Sequence, residues 1–300
     1  RRRFEIMKDD QASLLREKMN KKNKGTNERA HPYTIAVISG KGGVGKSNIS
    51  LNFALSMQKK GNSVLLIDLD IGMANIDVLL GSTQKLSIVD FFYHHYELKQ
   101  IIQKGPFNLS FIAGGSGLTN AFQIEKEKFI SFLLQLRALT NQYDYIIFDM
   151  GAGISEGNLQ LLLSMNEIFL VTTSEPTSLT DAYSALKIIS RQGSSVPFQV
   201  IINRAINEQS AIQTFQRLNT VTKRFIRRDL QFLGYVLDDK SVMNAVMQQK
   251  PFTILYPSCN ASKAINKMVE KYVQVEVEQD KQDTINFVSK LFQFFLERKA

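Results

Sequence analysis

The 300-residue chain has a single cysteine, Cys259, which excludes an intrachain disulfide and fits a reducing compartment. It has no apolar run of about eighteen residues, the least that reads as a membrane-spanning helix. Its histidines, His31, His94 and His95, lack metal-ligand spacing with cysteine or carboxylates. His94 and His95 read instead as surface residues of a loop rich in tyrosine and phenylalanine. The opening RRRFEI is basic, but no apolar stretch follows it as in a secretory signal. No internal repeat and no low-complexity tract is present. These absences point to a cytoplasmic globular protein.

Acidic residues are also in short supply. Lys plus Arg number 37 against 28 Asp plus Glu, a net charge of +9, and ten of the basic residues fall in the first 29 positions. The excess suggests anionic partners such as nucleotides, nucleic acid or lipid head groups, without choosing among them. With 44% hydrophobic residues, the chain is long enough for one sizeable α/β domain.

Residues 20–32, NKKNKGTNERAHP, are polar, charged and closed by Pro32, as expected of a linker. Beyond it, compact apolar runs alternate with helical patterns. The runs at 33–39, 62–68, 108–114, 143–149, 167–173, 198–204 and 230–236 predict strands buried on both faces of a parallel sheet. The stretch SNISLNFALSMQKKG between the first two predicts a helix ending at Gly61. Strand and helix in repetition predict right-handed βαβ units and an α/β fold, a doubly wound, mostly parallel sheet with helices on both faces.

Gly40 to Ser47 fits G-x-x-x-x-G-K-[ST] and lies between a predicted strand and a predicted helix, the context that a phosphate-binding loop requires. Gly40, Gly42, Gly43, Val44, Gly45 and Asn48 offer backbone around the phosphates at a helix N-terminus. Lys46 is expected at the β- and γ-phosphates and Ser47 at Mg²⁺. Asp149, ending the run YIIFD, is the candidate that holds the metal's water shell; the bland alternative is a helix cap. Asp68 and Asp70 leave the second strand two residues apart, so both carboxylates are expected to face the crevice at the strand's carboxyl end. One would position the attacking water and the other support the metal or the loop.

KGGVGKS is similar to the deviant Walker A loop of the MinD/ParA class of ATPases, whose pattern is KGGxGK[ST]; LIDLDIGMANIDVLLG and FDMGAG resemble its two switch segments. The resemblance runs from about Tyr33 to the 250s. It implies a MinD-like P-loop NTPase fold, ATP or ADP with Mg²⁺ as cofactors, and ATP-dependent homodimerisation. It also implies that Lys41 reaches the phosphates of the partner subunit, that Asp70 orients the hydrolytic water and that Asp68 supports the switch. Asn203 matches the asparagine that reads the adenine, and Asp239 falls in the base-facing loop, which reads LDDKSV where the class normally carries a proline.

Residues 10–16, DQASLLR, match the DQAxxLR motif at the start of the FlhG family (also called YlxH or FleN), MinD-like regulators of flagellar number and placement. The resemblance implies that residues 1–30 hold an activating segment for the GTPase FlhF, with Asp10, Gln11, Leu14, Leu15 and Arg16 meeting the partner. Residues 31–280 would form the ATPase domain. Flagellar switch-complex proteins are further implied partners. Residues 281–300 carry Phe287, Leu291, Phe292 and Phe295 among other apolar residues at helical spacing, with Lys290, Arg298 and Lys299 alongside. Two readings stand here: a helix packed on the core, or the membrane-targeting tail of MinD-like proteins on an anionic surface. A cell-division MinD, a DNA-partitioning ParA and a dethiobiotin-synthetase relative are the competing functions. Nucleic acid is not the expected partner.

Overall fold

A computed structural model describes residues 32–70, 75–83, 86–94, 96–115, 126–154 and 156–278. Eight strands form one sheet: β1 Tyr33–Ile38, β2 Val64–Leu69, β3 Gln103–Lys104, β4 Ser110–Ile112, β5 Tyr145–Met150, β6 Glu167–Thr172, β7 Phe198–Ala205 and β8 Gln231–Leu237. Their order is β3-β4-β2-β5-β1-β6-β7-β8, with every pairing parallel except β3 with β4. All seven expected strands are present. The eighth, β3, was not expected, because two residues are too few to show any periodicity.

β2 and β5 begin two residues later than their apolar runs suggest. Ser63 and Asp144 clasp each other just before the strands: Ser63 N donates to Asp144 Oδ2 at 2.8 Å, and Asp144 N donates to Ser63 Oγ at 2.9 Å. A side chain that satisfies a neighbouring backbone N–H competes with the ladder, and here it sets the strand start.

Both faces of the sheet are covered, and the alternation along β1 divides the core. Ile35 and Val37 point to one face, Ala36 and Ile38 to the other. The first face packs against α1 (Lys46–Lys59) and the C-terminal helices α8 (Lys240–Met247), α9 (Phe252–Leu255) and α10 (Asn260–Glu278). The second packs against α3 (Ile88–Tyr93), α4 (Lys126–Leu139), α5 (Glu156–Ser164), α6 (Pro176–Ser190) and α7 (Glu208–Ile226). A short α2 (Ile76–Leu80) follows β2. α1 ends as expected, with Gly61 in the left-handed region at φ +94°.

α10 is fixed by an aromatic trio. Tyr272 meets Phe53 of α1 and Phe169 of β6 edge-on at 5.8 and 5.3 Å, and those two rings meet at 5.3 Å. The Tyr272 hydroxyl donates to Glu167 at 2.7 Å, which satisfies both groups inside the core.

This order places β1 between β5 and β6, while the chain leaves β1 for β2 on the far side of β5. Such a reversal opens a crevice at the carboxyl ends of the strands. The glycine loop after β1, the aspartates ending β2 and Asp149 ending β5 all converge there.

Candidate active site

Gly45 turns the chain from loop into helix in the left-handed conformation, φ +89°, and a Cβ on it would stand 2.3 Å from Asn203 Nδ2. The turn sends Lys46 inward. Its Nζ donates to Asp149 Oδ1 at 2.7 Å and lies 4.0 Å from Asp70 Oδ2 and 3.5 Å from Ser47 Oγ. Ser50, one turn further along α1, donates to the same Asp149 oxygen at 2.9 Å. Asp149 is fully buried, and its Oδ2 has no hydrogen-bond partner among the described residues.

Asp68 sits beside Asp149 in the β2–β5 register. Of its two expected uses, supporting the metal or the loop, the geometry displays the second. Asp68 is fully buried and accepts from the backbone N–H of Asp70 at 2.9 Å, Asn75 at 3.1 Å and Ile76 at 3.2 Å. It thereby ties the end of β2 to the start of α2. Burial and the neighbouring Asp149 carboxylate push its carboxyl up to about 7, against the pull of those three donors. Asp70 is more open, with 17% of its side chain exposed. Burial raises its carboxyl, Lys46 draws it back, and Asp149 adds to the rise. Gly151 leaves room for it, since a Cβ there would come within 3.3 Å of Asp70 Oδ1.

Lys41 stands at the rim, 44% exposed, donating to Thr177 Oγ1 at 3.2 Å and paired with Glu175 Oε2 at 3.5 Å. Asn203 closes the other side of the loop, its amide donating to the Val44 carbonyl at 2.7 Å. Asp239 caps two helices: its carboxylate accepts from Ser241 N of α8 at 2.8 Å and from Ala261 N of α10 at 3.3 Å. Burial tends to raise this carboxyl, but those donors and Cys259 outweigh it and lower it. Asn48 is half-buried, and its carbonyl accepts from Asn52 at 2.8 Å.

Asp10, Gln11, Leu14, Leu15, Arg16, His31, His95, Phe287, Leu291, Phe292 and Phe295 lie outside the described residues. His94 is exposed, as expected. Ser50 was missed. Its only signal in the sequence is a spacing of four from Lys46, which on a helix puts the two side chains on one face.

The residues fit a magnesium-bound nucleotide. A buried carboxylate oxygen without a donor is costly, and the unpartnered Asp149 Oδ2 is available to a metal-bound water. Mg²⁺ prefers one or two carboxylates plus phosphates to an all-protein cage. Lys46 meanwhile holds a cation beside carboxylates, ready for a stronger anion.

A family model, ParA, described as the NUBPL iron-transfer P-loop NTPase, matches residues 31–273. The chain belongs to this family. It is a P-loop ATPase of the MinD/ParA class. The antiactivator FleN of Pseudomonas aeruginosa is 34% identical over 242 residues, covering 80% of this chain and 86% of FleN. The flagellum site-determining protein YlxH of Helicobacter pylori is 31% identical over 293 residues, 95% of this chain and 99% of YlxH. Among solved structures, the septum site-determining protein MinD of Pyrococcus horikoshii, complexed with Mg-ADP, superposes with a TM-score of 0.66 at 23% identity, covering 82% of this chain and 97% of that one. These ParA-family likenesses support a flagellar regulator built on the MinD-like fold, and nucleotide and Mg²⁺ binding within the class. Among the described residues no helix is long and apolar enough to cross a membrane.

Proposed function

We propose that this chain is an ATP-driven dimeric switch that sets flagellar number and placement. One observation carries the reading: Lys46 rests on Asp149 while Lys41, at the other end of the same loop, stands half-exposed at the rim. On this reading the inner lysine serves the chain's own nucleotide and the outer one a neighbour's. In the ATP state Lys46 leaves Asp149 for the β- and γ-phosphates. Ser47 and Asp149 would hold Mg²⁺, which would supply positive charge against the phosphates. Asp70 orients the attacking water, Asp68 pins the loop behind it, and Asn203 with the Asp239 loop borders the adenine. Lys41 crosses to the nucleotide of the second copy, acting in trans as an arginine finger does.

The likeness to FleN and YlxH supports the flagellar output. Residues 1–30 form the arm that engages FlhF and stimulates its GTPase through Asp10, Gln11, Leu14, Leu15 and Arg16. Residues 31–280 form the ATPase domain that meets the switch-complex proteins. Residues 281–300, with Phe287, Leu291, Phe292 and Phe295, attach the cytoplasmic dimer peripherally to anionic membrane. Two weak tails on one dimer bind together by effective concentration.

Two measurements test this. Lys41→Ala should keep its ATP affinity and lose ATP-driven dimerisation in sedimentation; a variant that dimerises normally removes the trans role. The full chain should raise FlhF GTP hydrolysis, and a chain lacking residues 1–30 should not. Equal stimulation by both would take the activator away from the arm and leave the ATPase reading intact.

A further inference from the structure

Asp149 is held by one oxygen and free at the other, and the hold has two parts. Lys46 and Ser50 are one turn apart on α1 and converge on Oδ1 at 2.7 and 2.9 Å. Ser50 is 1% exposed, so water does not compete for its hydroxyl. That hydroxyl also lies 3.1 Å from the Lys46 carbonyl, the back-bond common for a serine within a helix. A hydroxyl has one proton to give, however, and a carboxylate is the stronger acceptor.

The two donors differ in what nucleotide does to them. Lys46 is the loop lysine, and phosphates draw its ammonium away. Ser50 contributes no group to the loop and stays where α1 places it. No other donor to Asp149 is present among the described residues. We infer that Ser50 is a positioning residue for the metal site: it holds Asp149 by Oδ1 after Lys46 departs, so that Oδ2 stays turned toward metal-bound water. Without it the carboxylate is free to rotate about its Cβ–Cγ bond, and the orientation must be fixed by the metal's own shell. The inference rests on the chain being a P-loop ATPase and is independent of the flagellar output.

The test uses the full chain and a fluorescent ADP analogue, titrated with Mg²⁺ and, separately, bound in EDTA. For Ser50→Ala the half-saturating Mg²⁺ should rise about tenfold, the usual effect of removing a partner that orients a metal-binding group, while affinity in EDTA stays within about twofold. Ser50→Thr, which keeps the hydroxyl, should restore the Mg²⁺ dependence. Added to Asp149→Asn, Ser50→Ala should shift it no further, because its effect passes through that carboxylate. An unshifted Mg²⁺ dependence in Ser50→Ala overturns the inference. So does an equal loss of affinity in EDTA, or a shift that adds fully to that of Asp149→Asn. The double variant keeps the test decisive even if threonine does not fit the buried position.

Discussion

Lys46→Ala should abolish ATP binding and also lower the melting temperature of the nucleotide-free protein. The first effect follows from charge. Nothing else in Gly40–Ser47 carries a buried cation, and Lys46 is only 6% exposed. Losing a charge-assisted contact to the β- and γ-phosphates should weaken binding by about a hundredfold or more. The second effect follows from what Lys46 does without nucleotide. Its ammonium lies 2.7 Å from Asp149 and 4.0 Å from Asp70, and Asp68 is paired beside Asp149. Removing one partner of a buried ion pair costs roughly 3–5 kcal/mol, which in a domain of this size is a fall on the order of 10 °C. Asp149→Asn in the same chain should recover part of that fall and none of the binding. Calorimetry and thermal melts of the single and double variants check both. Unchanged ATP affinity in Lys46→Ala would end the phosphate-loop assignment; an unchanged melt would mean that the contact with Asp149 does not stabilise the nucleotide-free fold.

The parts of this site legible in the sequence are those whose relationships are local. Gly40–Ser47 was readable because its chemistry is contiguous, and the strands around it showed as compact apolar runs. Asp149 was readable because a strand end next to a glycine turn is also a local pattern. The aspartate pair was half-readable. Spacing placed Asp68 and Asp70 at the right strand end, but spacing cannot show that Asp68 turns into three backbone amides of the following loop while Asp70 remains open. Contacts between distant segments were out of reach. The Asn203 amide meets Val44 across 159 positions, and Asp239 reaches Ala261, 22 positions on, as well as the start of its own helix. Ser50 was hidden for another reason: a serine within a helix is ordinary until its neighbour is known to be a buried carboxylate.

Gly40→Ala is the second large effect, and it separates shape from charge at the same loop. A Cβ on Gly40 would stand 2.1 Å from the Asp181 carbonyl carbon, 2.3 Å from its oxygen and 2.4 Å from Ala182 N. All three are backbone atoms in the middle of α6, a helix anchored through fully buried Ala182 and Leu186. A flexible side chain could step aside; a helix backbone set in a close-packed core does not. Either the loop lifts from α6 or the helix moves out of the core. Overpacking of this kind costs about 1–3 kcal/mol, which corresponds to a melting temperature lower by roughly 2–12 °C. If the loop offers its backbone N–H groups to the phosphates as proposed, the same displacement should reduce ATP affinity by about tenfold or more, the scale expected when binding groups move by an ångström. Gly42→Ala supplies the control. The nearest atom to its Cβ would be that of Ala152 at 3.9 Å, an ordinary contact, so its melting temperature should stay close to that of the native chain. The two variants add the same methyl to the same loop and leave every charged group in place. If both melt like the native chain, the loop does not rest on α6 as described. If Gly40→Ala melts early yet binds ATP normally, the loop's backbone is not what holds the phosphates, and the lysine alone must carry the affinity.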